Sequence, residues 1–392
     1  MKIIYIGSIY PAGMMDYYRS LNSRIDFAGH TFQTALLKGL STEYPDMTVV
    51  TAPPVSTFPS VNKLFFKGKT YPPNEAGQNG IILLRCLNLP ILKYIFKVID
   101  LLIILSRINL NDTRVILYAI DSPTLIAVRL AKKRSTQTCL IVPDLPFYMR
   151  GTKSLIYRIS KCIESIILNW AYKAVDKYVL LSKHMKEKLP IGDKPWMLME
   201  GIYIDEGNNK PVERNNKTVF LYTGNLGFRT GVMELIQAFK LLEGSQYELW
   251  IRGNGAAENA VIDMQKVDSR IKYIPPLPKE ELIALQKKAS FLVNPVPPSQ
   301  EFTKYFFPSK TMEYLASGTP TIMFKLDCLP DEYLEHVFLF DEESVDSMHK
   351  CLKHYSSLET VILRQKGEKA SAFIKDNKNA FIQAQRIKAF LS

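Results

Sequence analysis

The chain has 392 residues, 47% apolar and 22% charged, a globular balance that excludes a disordered or collagen-like polymer. At ~100–200 residues per domain this length suits two domains, three at most. Residues 1–200 hold 26 Lys and Arg against 14 Asp and Glu, a net of +12, whereas residues 201–392 hold 24 against 24.

Such a one-sided field points to a polyanionic partner: nucleic acid, anionic lipid or a phosphorylated substrate. The plainer reading is a solubility bias. The opening MKIIYIGSIYP has an apolar run too short for a signal-peptide core and reads as a strand. Five scattered cysteines (Cys86, Cys139, Cys162, Cys328, Cys351) without a CxxC argue against a disulfide framework or a zinc ribbon, and for a reducing cytoplasm.

Short β-branched runs alternate with longer amphipathic ones, the pattern of a parallel α/β layer fold. In the first half, strands are predicted over Lys2–Ile6, Thr48–Thr51, Gly80–Leu84, Arg114–Ala119, Thr138–Val142 and Lys177–Leu181. Helices are predicted between them, over His30–Leu40, Ile91–Ile108, Pro123–Lys133, Leu155–Ala174 and Lys183–Leu189. Ile91–Ile108 is strongly apolar but carries Lys93, Lys97, Asp100 and Arg107, too many charges for a spanning helix of ~20 residues. It reads either as a helix buried on the first sheet or as a surface helix. In the second case its lysines would meet anionic lipid while its apolar face dips into the interface. Trp170 with Lys153, Arg158 and Lys161 would extend that surface.

The polar stretch DEGNNKPVERNNK after Ile204 lacks apolar periodicity and is the expected linker. The expected division is 1–200 for the first domain and 201–375 for the second, with a terminal helix at about 376–392 packing back on the first. The second series has strands over Thr218–Thr223, Tyr247–Ile251, Ile271–Ile274, Ser290–Asn294, Thr321–Phe324 and Val337–Phe340. Its predicted helices include Gly231–Leu242, Lys279–Lys288 and Ser309–Ser317.

Two segments carry chemistry. In YTGNLGFRTG, Gly224, Gly227 and Gly231 allow a tight turn with backbone N–H groups at a helix start, a ready anion site. Arg229 inside the turn can add a bidentate phosphate contact. The spacing fits neither the Walker A motif nor GxGxxG. In FFPSKTMEYLASGTPTI, Pro308 suits a first helical turn and Ser309 a position near the cap. Lys310 and Glu313 then fall on one face, where a lysine can neutralise a diphosphate and a carboxylate can accept both ribose hydroxyls. The plain alternatives are an exposed arginine and an exposed i,i+3 ion pair.

GNLGFRTGVMELIQAF followed by FPSKTMEYLASGTPTI resembles the donor-binding domain of family 4 glycosyltransferases. WIRGNG (Trp250–Gly255), IKYIPPLPKEELIAL and FLVNP stand where that family has its GxG turn, its base-facing strand end and its pre-motif strand. AGHTFQTALLKGL, IVPDLPFYM and VDKYVLLSKHM fit the first half more loosely. The resemblance implies the GT-B architecture, two Rossmann-like domains facing across a cleft, and retaining, metal-independent chemistry. It implies Glu313 on the donor ribose, Arg229 and Lys310 on the diphosphate, and backbone near Pro275 and Pro276 against the base. Gly224, Asn225, Gly227, Arg252, Gly253 and Ser309 would line the donor site, and Gly29 the N-domain loop bordering the phosphates.

Three departures stand out. The family often carries two glutamates with seven residues between them, but the position eight before Glu313 is Tyr305, and Glu301 lies four further back. Its Arg and Lys in the glycine turn are here Asn225 and Thr230, leaving more to Arg229 and Lys310. Its histidine near VPDLP is replaced by Pro143-Asp144, which makes Asp144 a candidate polar group at the reacting sugar, with a structural Asp as the alternative. Of five histidines only His30, beside Gly29, merits attention, and no DxD or metal-spaced His/Cys cluster occurs.

The expectation is a cytoplasmic enzyme, peripheral on the inner membrane face. It would move a hexose from a UDP- or GDP-linked donor to a glycan or polyprenyl-diphosphate-linked acceptor, with no cofactor or metal. A non-hydrolysing nucleotide-sugar epimerase stays open. A nucleic-acid-binding protein is disfavoured, since no recognition motif accompanies the basic half.

Overall fold

The β-branched runs become parallel strands at the cores of two units. The computed structural model describes residues 2–72, 80–145, 164–204 and 215–392. Most of the expected linker, residues 155–163 of an expected helix, Lys153, Arg158, Lys161, Cys162 and the end of IVPDLPFYM lie outside the described residues. One unit comprises Met1–Ile202 with Ala380–Ser392, the other Tyr203–Asn379.

The first unit holds strands β1 (Lys2–Gly7), β2 (Thr48–Thr51), β3 (Phe65–Phe66), β4 (Lys69–Tyr71), β5 (Ile81–Leu83), β6 (Cys86–Leu87), β7 (Thr113–Tyr118), β8 (Gln137–Val142), β9 (Lys177–Leu180) and β10 (Trp196–Leu198). Eight of them form one sheet in the order β10-β9-β8-β7-β1-β2-β5-β4, and β3 pairs with β6 alone. All pairs in the large sheet are parallel except β4 with β5. The strand order reverses between β1 and β7, which makes that the switch point where an open α/β sheet binds ligands.

One face is covered by helices Phe27–Glu43 and Ala380–Leu391, whose Leu36, Leu40, Ala384, Ile387 and Leu391 join Ile3, Tyr5, Ile116 and Ile141 in one buried cluster. Gly39 lets these helices touch, because a Cβ there would lie 2.0 Å from the Ala380 carbonyl oxygen. The terminal helix is tied down further by Lys388 to Glu43 at 2.7 Å and by Arg386 to the Leu198 carbonyl at 2.8 Å. Helices Leu92–Arg107 and Ser122–Ala131 pack side by side. They follow crossovers that run in the opposite direction along the sheet, so right-handedness puts them on its other face.

Three readings of this unit need correcting. Three of the four charges of Leu92–Arg107 are tied inward, Arg107 alone being exposed: Lys93 donates to the Val55 carbonyl, Lys97 pairs with Asp121 at 2.9 Å, and buried Asp100 accepts from Arg85 Nε at 2.6 Å. Those lysines therefore do not reach for lipid. Lys183–Lys188 is a 3-10 segment rather than an α-helix, and helix Met14–Ser20 is unpredicted.

The second unit is a six-stranded parallel sheet of β11 (Thr218–Asn225), β12 (Tyr247–Asn254), β13 (Ile271–Ile274), β14 (Phe291–Asn294), β15 (Thr321–Met323) and β16 (Phe338–Leu339). Their order is β13-β12-β11-β14-β15-β16. Fully buried Phe220 and Phe291 stack across β11 and β14 at 5.3 Å between ring centroids. Here the order reverses between β11 and β14.

Candidate functional site

The splitting of β11 from β14 shapes the second unit's carboxyl edge. The two strands pair only at Phe220 with Phe291 and Leu221 with Leu292, whereas β11 stays paired to β12 as far as Asn225 with Asn254. Beyond Leu221 the backbone of β11 needs another partner on its β14 side. Tyr314, from helix Ser309–Ala316, supplies it: its buried hydroxyl accepts from the Thr223 N–H at 2.8 Å and donates to the Thr223 carbonyl at 3.1 Å. That helix is thereby pinned over the switch point.

This pinning brings the two sequence segments together. The Lys310 ammonium sits 4.4 Å from the centre of the Tyr222 ring, and a Cβ on Gly224 would lie 3.7 Å from it. Burial pushes the Lys310 pKa down to about 7, and no carboxylate among the described residues opposes the shift. A buried lysine at a switch point, with no carboxylate beside it among the described residues, is able to receive an anion.

The glycines serve close approach. Gly224 and Gly253 are register partners at φ 142° and 152°, and a Cβ on Gly253 would lie 1.8 Å from the Gly224 carbonyl oxygen. Gly231, at φ 74°, is the N-cap of helix Val232–Lys240, and a Cβ there would lie 1.9 Å from the Pro295 carbonyl oxygen. It thus packs the first segment against the exit of β14. Neither helix Val232–Lys240 nor helix Ser309–Ala316 has a side-chain cap; the Thr311 N–H donates to the Pro308 carbonyl at 2.8 Å, and the other first-turn N–H groups are left to water or a ligand.

Several expected roles change. Pro308, not Ser309, occupies the N-cap, and Ser309 is the exposed first helical residue. The Leu226 N–H donates to the Asn254 carbonyl and the Thr230 N–H to that of Gly227, so neither is available to a phosphate. Arg252 turns toward the loop after β13, with Nη2 donating to the Leu277 carbonyl at 3.1 Å. It shapes the loop that presents exposed Pro275 and Pro276. Arg229 and Glu313 are exposed, Gly227 is half-buried, and Asn225 is exposed with its carbonyl accepting from the Tyr222 hydroxyl at 2.6 Å. Tyr305 is buried, and exposed Glu301 starts the 3-10 turn Glu301–Tyr305.

Asn294, 1% exposed at the end of β14, has no hydrogen-bond partner for either amide atom, and the buried Thr311 hydroxyl has none. By strand alternation Asn294 faces the side of Leu292, the side Tyr314 covers. Its signal was a polar residue closing an otherwise apolar buried strand. Tyr222, whose ring lies under the Lys310 ammonium, left no such signal.

Gly29 and Asp144 belong to the first unit. Gly29 is not in a loop: helix Phe27–Glu43 starts before it, and its N–H donates to the capping Asp26 carboxylate at 3.0 Å. His30 accepts the Tyr10 N–H at Nδ1, 3.2 Å away, and burial lowers its pKa. Asp144 follows β8, where burial and then the Asp26 charge raise its pKa. Tyr118, at the end of β7, is raised by burial and by both carboxylates, which places Asp26, Tyr118 and Asp144 in one electrostatic neighbourhood.

Residues 204–380 match the protein family described as glycosyl transferases group 1. No curated protein matches the chain by sequence. Among solved structures it is similar to sucrose-phosphate synthase from Thermosynechococcus elongatus, at 12% identity and a TM-score of 0.65, over 100% of this chain and 98% of that one. It is similar to the lipopolysaccharide outer core galactosyltransferase WaaB, apo form, at 14% identity and a TM-score of 0.61, over 100% and 99%. Anabaena Alr3699/HepE in complex with UDP matches at 12% identity and a TM-score of 0.61, again over 100% and 99%. What is shared at these identities is the fold, the GT-B architecture.

Proposed function

We propose, on the premise that residues 204–380 belong to the group 1 glycosyl transferases, that the chain transfers a hexose from a nucleotide diphosphate sugar to an acceptor hydroxyl with retention. The observation that carries this reading is the Lys310 ammonium beside Gly224 at the β11/β14 switch point, with no carboxylate partner among the described residues. The donor diphosphate lies there, with Arg229 as a second cation from the glycine turn. Glu313, one turn along the same helix, takes the ribose hydroxyls, and the backbone at Pro275–Pro276 meets the base.

The chemistry is electrostatic. As the bond to the anomeric carbon breaks, negative charge grows on the departing diphosphate. In this reading Lys310, Arg229 and the first-turn N–H groups without a side-chain cap take up that charge. Losing one such contact costs on the order of 10²–10³ in rate. No resident cofactor or metal is assigned, since the nucleotide sugar is itself the substrate. The acceptor, a glycan or a lipid diphosphate at the inner membrane face, is assigned to the basic first unit. Asp144, with its raised pKa, is the candidate for a polar contact to it.

The test is a thermal-shift screen of nucleotide sugars and bare nucleotides against the wild type and Glu313→Ala. A ligand that stabilises the wild type and not the variant names the donor. A wild type that no nucleotide sugar stabilises refutes the reading, and a free sugar isomer formed without acceptor would replace it with an epimerase.

A further inference from the structure

Among the described residues, helix Leu92–Arg107 of the first unit has an apolar face without a partner. On Leu92–Arg107 the inward stripe of Asp100, Leu101 and Leu105 is buried, while Leu92, Ile95 and Ile99 share an exposed stripe, the last two at 51% and 50%. Ile91, just before the helix, is 73% exposed. It sits at φ 63° and ψ −53°, the centre of a three-residue turn closed by the Leu92 N–H to the Pro90 carbonyl at 2.6 Å. A β-branched side chain is strained there, and so much exposure means that packing does not require it. Strain of this kind persists where a side chain has a use.

Next to this helix start, Phe65 meets Phe96 edge-on with ring centroids 6.1 Å apart, which carries the exposed Leu64 and Phe65 to the same place. The cations that flank the apolar surface come from this neighbouring segment. Lys67 and Lys69 are exposed, and neither 61–71 nor 91–99 contains an acidic residue. The lysines of the helix itself are tied inward, so its outer face is apolar without interruption from Leu92 to Ile99 at helical spacing.

We propose that this face docks on an anionic lipid bilayer, with Leu64, Phe65, Ile91, Leu92, Ile95 and Ile99 entering the headgroup–acyl boundary and Lys67 and Lys69 on lipid phosphates. An apolar stripe beside a basic flank is the arrangement of an interfacial helix. The charge selects the partner: the half of the chain that bears the face has a net of +12, and a second copy would bring Lys67 and Lys69 against like charge. No helix among the described residues is long and apolar enough to cross a membrane. The inference rests on the lipid-linked acceptor of the preceding reading for its purpose, while its test uses no sugar.

The purified full chain is sedimented with vesicles of phosphatidylcholine alone or mixed with phosphatidylglycerol. The wild type is expected to bind the mixed vesicles and to bind phosphatidylcholine weakly. Ile95→Asp with Ile99→Asp lowers binding by about tenfold or more. Lys67→Glu with Lys69→Glu removes the preference for phosphatidylglycerol. All substituted positions are exposed, and unchanged melting and nucleotide-induced shifts verify the fold. The proposal is overturned if the wild type ignores mixed vesicles, or if both variants bind as it does. It is overturned too if the wild type is a dimer that the aspartates dissociate and no vesicle binds. Vesicle binding without any nucleotide-induced shift would sink the transferase reading and leave this face standing.

Discussion

Replacing Lys310 by methionine tests the charge at the switch point, because its pKa is pushed down to about 7 by burial against Tyr222 and Gly224. Above that pH the ligand-free protein holds a neutral amine, and a bound diphosphate restores the cation. Affinity for the cognate nucleoside diphosphate is therefore expected to fall with rising pH, approaching tenfold per unit above about 7, as binding takes up close to one proton. Calorimetric titrations between about pH 7 and 9, in buffers of different ionisation enthalpy, read both the slope and the proton count. Lys310→Met keeps the side-chain stem and is expected to abolish both. Stability carries the same linkage with a definite sign. A lysine with an unfolded pKa near 10.4 binds more protons unfolded than folded between about 7 and 10, so wild-type stability rises with pH across that window. Methionine flattens the rise. A variant that keeps the proton uptake and the pH slope would refute the assignment of the anion to Lys310.

The other predictions concern the scaffold and the first unit. Tyr314→Phe leaves the Thr223 N–H and carbonyl without their partner and is expected to cost about 1–3 kcal/mol in urea melts, with weaker nucleotide binding. Gly231→Ala brings a Cβ to 1.9 Å from the Pro295 carbonyl oxygen at a positive φ. It should destabilise by about 2 kcal/mol or more on thermal denaturation. Asp26→Asn removes a charge that raises the Asp144 pKa, so an Asp144-dependent limb of the kcat/KM profile shifts to lower pH. Burial still holds that pKa above the ordinary carboxylate range.

What could be read in the sequence was what local patterning encodes. Runs such as TVVT and IKYI are strands at their expected bounds, Thr48–Thr51 and Ile271–Ile274, because β-branched residues between turn signals have few other uses. Helix Glu258–Val267, which fully buries only Val261, was not among the predicted helices. Two-residue strands such as Phe65–Phe66 exist by pairing with Cys86–Leu87, not by propensity. Asp26 carried a cap signal ahead of FAGH that would have moved the start of Phe27–Glu43 to its observed position and taken Gly29 out of the loop.

At the candidate site the limit is of another kind. Glycine turns and a lysine at a helix start are local features, and both were legible. The depressed pKa of Lys310 depends on a ring and a backbone surface contributed by Tyr222 and Gly224, which reach it because Tyr314 anchors the helix to Thr223. The strand register and the unpaired end of β11 create the place for that hydroxyl, and no window of neighbouring residues contains both. Asn294 likewise lies beyond the point where β14 parts from β11, and neither atom of its buried amide has a partner among the described residues. The same parting of strands thus opens the edge of the sheet and admits the helix that carries the lysine, so the sequence can name the charged group but its chemistry is set by topology.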